Sequence, residues 1–487
     1  MGPPAPRLSA RVPKPQKAQK RPNCYNEKEM TAATKNIVFI GSHLGYPMDC
    51  TPLGGGAMVG LQLARRWAKD GRFRLKAIGS GPLPPSPETD YWNAGGAGQG
   101  GLVRLSEFGY ARFCRKFEGA SAAWLDDHRD EFPPESTCVV LNDISESPDP
   151  ARLARMGYPL VSIWHVDVVD YFNKMYFRNL IAPQRWTRAY EKLAQLGAQG
   201  LVPDLLRLVF DKQRSVVRHS RRLIVPSRRM ARTIEECYGP AAGGRGAIEV
   251  VPWGCWGEDI PESQIAPEAE RLRAHYRIGP GTRTLMTLSR ISPEKGIALL
   301  LEALRVLERE DRLPARDVCL FICGEPAFMR GEAYMRQVRA AAGRLRRARV
   351  FFVGYLPPRE KQVYFRLADV FVSPSIHESY GLTVVEAMRA GLPILASDHS
   401  GAEETLEPAF SRIVPYDGKA GGYANWAGRQ GDIPRRLADE AAKLLGDPAL
   451  TKRMGASARA AAVRLDFDAA ARKVADAALE SVGWTPA

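Results

Sequence analysis

The chain has 487 residues, 45% hydrophobic and 25% charged, with 44 Gly and 37 Pro, too long for one hydrophobic core and too apolar for a low-complexity chain, so two domains are expected. Its eight cysteines are scattered, with no CxxC pair and no histidine at zinc-ligand spacing, which argues against a metal centre and fits a reducing compartment. A net charge of +15 and a pI of about 9.5 imply attraction to phosphate-bearing partners.

Residues 1–34 are polar, Pro-rich and non-periodic, and read as a disordered basic leader carrying Arg7, Arg11, Lys14, Lys17, Lys20 and Arg21. The buried-strand run Asn36 to Ile40 follows, then a loop with Gly54, Gly55 and Gly56, then a helical pattern from Ala57 to about Lys69. Apolar runs at Phe73 to Ile78, Thr137 to Leu141, Pro159 to His165, Leu223 to Val225 and Ile248 to Val251 alternate with helical stretches, the pattern of a parallel sheet covered on both faces. A polar stretch from about Glu258 to Glu268 interrupts it and marks the domain boundary.

Strand runs resume at Thr284 to Leu288, Val318 to Cys323, Val350 to Val353, Val370 to Ser373 and Pro393 to Ala396. Cys319 and Cys323 share one face of their run, as buried thiols do. Helical stretches at Pro434 to Leu445 and Asp466 to Val482 are long enough to pack across both domains. The expected division is a first domain over 35–262, a second over 263–465, and a helix over 466–487 that crosses back to the first. The fold expected is α/β, two doubly wound Rossmann-like domains facing a central cleft, with ligands beyond the carboxyl ends of the strands.

Two further basic clusters, one from Lys212 to Arg232 and one from Arg336 to Arg349, read as solvated helix faces or as a peripheral contact with an anionic membrane leaflet. Nucleic acid is not expected, because no recognition motif accompanies the charge. No apolar run reaches the ~18 residues of a membrane span, and the N-terminus lacks the apolar core of a signal peptide. A cytoplasmic protein, at most peripheral at the inner face of the membrane, is expected.

The chemistry concentrates in Pro374 to Glu404, PSIHESYGLTVVEAMRAGLPILASDHSGAEE. A strand ends before it, and a helix begins near Gly381 and stops at Gly391, with Pro393 beyond. The amides of Tyr380, Gly381 and Leu382 should leave that helix N-terminus unpaired, as phosphate donors. Glu378 before the helix and Glu386 on its second turn suit hydroxyl pairs, Glu386 on a ribose and Glu378 on a donor sugar; the alternative is a capping Glu378 and a solvated Glu386. In LSRISPEKG, Arg290 and Lys295 sit at the mouth of a strand and suit a diphosphate, unless Lys295 pairs with Glu294 or Glu302. His165 ends the run PLVSIWH, where a side chain opens into the cleft.

Together HESYGLTVVEAM, with seven residues between its glutamates, LSRISPEKG and Ser400 to Glu404 resemble the motifs of family 4 glycosyltransferases, over residues from about 36 to 480. The resemblance implies a GT-B enzyme that moves a hexosyl group from a nucleoside diphosphate sugar, uridine favoured, to a hydroxyl acceptor, with retention of configuration and no metal or other cofactor. The donor nucleotide sugar and a small-molecule, lipid or glycan acceptor are its expected partners. It carries Glu386 over to the ribose, Glu378 to the donor sugar, Arg290 and Lys295 to the diphosphate, Gly55 and Gly56 to the diphosphate from across the cleft, and His165 to the reacting carbon. Trp253-Gly254 stands where the family usually has Asn-Gly, and Cys323 to Pro326 replaces its usual glycine-rich turn; residues 410–433 look longer than is typical of the family. A sugar phosphorylase, a nucleotide-sugar epimerase, a glycoside hydrolase or a non-catalytic nucleotide-sugar-binding protein are the competing classes.

Overall fold

A computed structural model describes residues 35–47, 54–95, 107–167, 169–171, 173, 181–202, 204–239, 246–257, 260–313, 317–327, 331–415 and 432–484. The basic leader lies outside these residues, as do Cys24, Cys50 and most of 410–433.

Seven strands form the first sheet, β1 (Asn36–Ile40), β2 (Arg74–Gly79), β3 (Tyr91–Asn93), β4 (Thr137–Leu141), β5 (Leu160–Ile163), β6 (Arg222–Val225) and β7 (Ala247–Val250), in the order β3-β2-β1-β4-β5-β6-β7. The second has six, β8 (Thr282–Leu288), β9 (Asp317–Cys323), β10 (Ala348–Gly354), β11 (Val370–Ser373), β12 (Ile394–Ser397) and β13 (Ser411–Val414), in the order β10-β9-β8-β11-β12-β13. All pairings are parallel. β1, β4, β5, β11 and β12 are buried along their whole length, as continuous apolar strands covered on both faces must be. Sequence order reverses beside β1, which pairs with β2 and β4, and beside β8, which pairs with β9 and β11; ligands of doubly wound sheets sit at such points.

The polar stretch at 258–268 is more than a linker. A helix over Glu262–His275 runs through it and buries Ile265, Ala269 and Leu272 against the helix Pro358–Leu367. The two late helices part company. Ile433–Gly446 stays within the second domain, where Leu437 and Ala441 share a core with Leu300 and Leu304, so it does not reach across both domains. Phe467–Glu480 lies on the first: Trp67 packs edge-on to Phe39 and donates from Nε1 to the Ala471 carbonyl at 3.0 Å. Gly254 lets that helix begin where it does, because a Cβ there would stand 2.1 Å from the Phe467 nitrogen.

The middle basic cluster is mostly engaged in ion pairs. Lys212 is buried, 2.9 Å from Glu118, and Arg214 and Arg218 both reach Glu191 at 2.9 Å. Arg228, Arg229 and Arg232 cross to the second domain, where they meet Glu404, Asp398 and Glu403 at 3.0, 2.9 and 2.5 Å. In the third cluster, Arg347 pairs with Asp311 and Arg349 with Asp317, both at 2.5 Å. Burial pushes the Cys319 thiol up to about 12 and Cys323 up as well, as inert core thiols. No helix among the described residues is long and apolar enough to cross a membrane.

Candidate active site

Both sheets aim their carboxyl ends at one cleft, which holds a cavity of about 400 Å³. Every residue proposed from the sequence lines it: Gly55, Gly56 and His165 from the first domain, and Arg290, Lys295, Glu378, Tyr380, Gly381, Leu382 and Glu386 from the second. The facing walls are close. A Cβ on Gly54 would stand 3.8 Å from Arg290 Nη1, and one on Gly55 would stand 3.1 Å from Leu382 Cδ1.

Gly381 stands at the N-cap position of the helix Leu382–Arg389 with φ 95° and no side chain to cap it, a conformation that favours glycine. Among the described residues no protein acceptor takes the amides of Tyr380, Gly381 or Leu382, so three donors face the cavity at the positive end of a helix. The Tyr380 side chain turns away. It is 4% exposed, packs in the first domain's core, and donates its hydroxyl to the Trp253 carbonyl across the domain contact.

The charged side chains are paired with one another. Lys295 Nζ lies 2.6 Å from Glu378 Oε2, rather than on Glu294 or Glu302. Burial pushes the Glu378 carboxyl up, but the Lys295 ammonium outweighs it and holds it at about 2. Glu386 is not a solvated surface residue: its side chain is 14% exposed, Lys361 Nζ donates to Oε1 at 2.5 Å, and Oε2 is buried with no protein partner among the described residues. Such an orphaned acceptor at a cavity wall is suited to a ligand hydroxyl. Arg290 stands 3.6 Å from Glu294, whose backbone carbonyl accepts from the amides of Ile376 and His377 at 2.7 and 3.2 Å. Those two bonds tie the loop after β8 to the loop after β11. They bring LSRISPEKG and HESYGL together at the switch point.

His165 follows β5. Its Nε2 lies 3.1 Å from Asn142 Oδ1, and burial lowers its pKa against the raising influence of Asp143. Gly56 gives the ring room, because a Cβ there would come within 2.6 Å of His165 Cγ. Trp253 is 2% exposed, its ring centroid 6.1 Å from that of His165; it backs the histidine. Glu325 lines the cavity after Gly324, which has φ 129° and where a Cβ would stand 1.8 Å from the Ser289 carbonyl oxygen.

Sequence reasoning missed Lys361, His43, Tyr110, Asp143 and Glu146, all on the cavity wall. Asp143 and Glu146 follow β4, so the strand-end rule that picked out His165 also reaches them. Lys361 lies in an amphipathic helix with no motif around it. Among the described residues no group of three or more His, Cys, Asp or Glu could hold a metal ion.

Residues 268–461 match the family model "Glycosyl transferases group 1". Over 259 residues the chain is 28% identical to the D-inositol 3-phosphate glycosyltransferase of Nocardia farcinica, a stretch that is 53% of this chain and spans about half, 52%, of that relative. The sucrose-phosphate synthase of Thermosynechococcus elongatus superposes with a TM-score of 0.63 at 18% identity, covering 91% of this chain and 97% of that one. HepE of Anabaena, in complex with UDP and glucose, superposes with a TM-score of 0.60 at 15% identity, covering 91% and 99%. At that identity the superpositions speak for the fold, the two-domain GT-B arrangement. Residues 268–461 thus carry a group 1 glycosyltransferase match, within a chain that has the two-domain GT-B fold.

Proposed function

We propose that this chain moves a hexosyl group from a nucleoside diphosphate sugar, with UDP as the favoured carrier, to a hydroxyl of a small-molecule, lipid or glycan acceptor, with retention of configuration. The observation that carries the reading is the meeting, at one cleft, of an uncapped helix N-terminus, Arg290 and Lys295 with the glycine loop of the facing domain. The family match supports it, and so does HepE's complex with UDP and glucose on the same fold.

In this reading Arg290, Lys295 and the amides of Tyr380 to Leu382 hold the diphosphate, Gly55 and Gly56 approach it from the other side, Glu386 takes the ribose, and Glu378 takes hydroxyls of the donor sugar. The bond from the anomeric carbon to the phosphate oxygen breaks while the acceptor oxygen bonds to that carbon from the same face. The acceptor proton passes to the departing phosphate. Charge therefore grows on the phosphate, where the fixed donors are aimed, and preorganised donors of this kind lower a barrier most. His165 lies at the reacting carbon. The chemistry calls for no metal. The scattered cysteines favour a reducing cytoplasm, and the basic clusters favour at most a peripheral contact with an anionic leaflet.

UDP release from UDP-glucose over an acceptor panel in the presence of EDTA, with the product anomer read by NMR, tests the proposal. Acceptor-dependent release giving the α-anomer supports it. Sugar release that requires inorganic phosphate would point to a phosphorylase, interconversion of the donor to an epimerase, cleavage of simple glycosides to a hydrolase, and donor binding without any turnover to a sensor.

A further inference from the structure

The cleft divides its charge by domain. Among the described residues, every lysine or arginine that lines it belongs to the second domain: Arg290, Lys295 and Lys361. The first domain lines its half with Asp143 and Glu146, beside His43 and Tyr110. Asp143 Oδ2 accepts from Asn142 Nδ2 at 3.2 Å and lies 3.6 Å from His43 Nδ1. Glu146, 5% exposed, accepts the Tyr110 hydroxyl. Asn142 also contacts His165 at 3.1 Å, so one amide links the acidic pair to the residue placed at the reacting carbon.

These groups suit hydroxyls and not phosphates. A carboxylate accepts one or two sugar hydroxyls in charge-assisted bonds. A phosphate brought to the same wall meets the Asp143 and Glu146 carboxyls and, among the described lining residues, no lysine or arginine of the first domain, so its charge is poorly compensated. The three cations opposite lie on the donor side, where Arg290 and Lys295 serve the diphosphate in the reading above and Lys361 pairs with Glu386. Burial, then the neighbouring Asp143, push the Glu146 carboxyl up.

We infer that the first-domain half of the cleft takes an uncharged, hydroxyl-rich acceptor, and that Asp143 and Glu146 are specificity-determining residues that grip its hydroxyls and exclude phosphorylated sugars. This rests on the glycosyl-transfer reading above and names the acceptor class it leaves open. It also sets the chain apart from the Nocardia relative, whose name specifies a phosphate-bearing acceptor.

The test is UDP release from UDP-glucose with matched acceptor pairs: glucose and glucose 6-phosphate, fructose and fructose 6-phosphate, myo-inositol and D-inositol 3-phosphate. Parallel calorimetry measures UDP binding. The neutral member of any pair used should have a kcat/KM higher by roughly tenfold or more. Asp143→Asn and Glu146→Gln should raise KM for that acceptor and narrow the preference by about tenfold, with UDP affinity unchanged. Preference for the phosphorylated member, a preference unmoved in both variants, or no use of any member by a chain that binds UDP would each overturn the acceptor assignment alone. Failure of the wild-type chain to bind UDP would overturn the donor reading and this inference with it.

Discussion

Lys295 Nζ lies 2.6 Å from Glu378 Oε2, so the two side chains read separately from the sequence, one for phosphate and one for sugar, neutralise each other across the cavity wall. The pair joins the loop after β8 to the loop after β11 and keeps both charges compensated in a site where either alone would be costly to bury.

Glu378→Gln separates the two roles. The carboxamide releases Lys295 for the diphosphate, so UDP affinity should hold or tighten, while transfer falls by at least about tenfold because a charged acceptor for the sugar hydroxyls is gone. Calorimetry and steady-state rates on one preparation read both. A loss of UDP affinity with kcat intact would mean that Glu378 serves the nucleotide.

Gly56→Ala acts on His165 without touching it chemically. The new Cβ would lie 2.6 Å from His165 Cγ and 2.9 Å from its Cβ, so the ring must shift and its contact with Asn142 is lost. The expected cost is about 1–3 kcal/mol of stability, with kcat down by roughly tenfold or more and, because Gly56 also approaches the diphosphate, a weaker UDP affinity. Thermal denaturation beside kinetics checks this. Wild-type kcat in a folded variant would remove His165 from the reacting centre.

Glu146 sets a pH dependence of stability. Burial first, then Asp143, raise its folded pKa from 4.5 to about 7, so the folded state holds an extra proton between those values. The stability this contributes is complete below pH 4.5 and is lost as pH rises through 7. Glu146→Gln mimics the protonated form and escapes that loss, so the variant should gain on the wild type between pH 5 and pH 8, by roughly 2 kcal/mol in denaturant titrations. A difference that stays flat, or reverses sign, over that range would show that the carboxyl is not held protonated.

Much of this was readable in the chain itself. β1, β4, β8 and β9 announce themselves as apolar runs, and the helix after Gly381 is bracketed by its own glycines. β3 and β13 were missed because edge strands of three and four residues carry too little pattern to separate from turns. The second carboxylate pair was missed for a different reason. Asp143 and Glu146 become a site only beside His43 and Tyr110, from other segments, and no local spacing encodes that meeting. Lys361 is the same case: its helix reads as ordinary amphipathic surface, and only the fold brings its ammonium to Glu386. Arg228 and Arg232 looked like solvent-facing charge because their carboxylate partners, Glu404 and Glu403, lie in the other domain.

Calorimetric titration of UDP into the wild-type chain and into Arg290→Ala, Lys295→Ala and Glu386→Ala tests the central claim most directly. The account predicts binding to the wild type, a loss of roughly tenfold or more in each variant, and folded variants by thermal denaturation. Equal affinity in all four proteins would place the nucleotide somewhere other than this cleft.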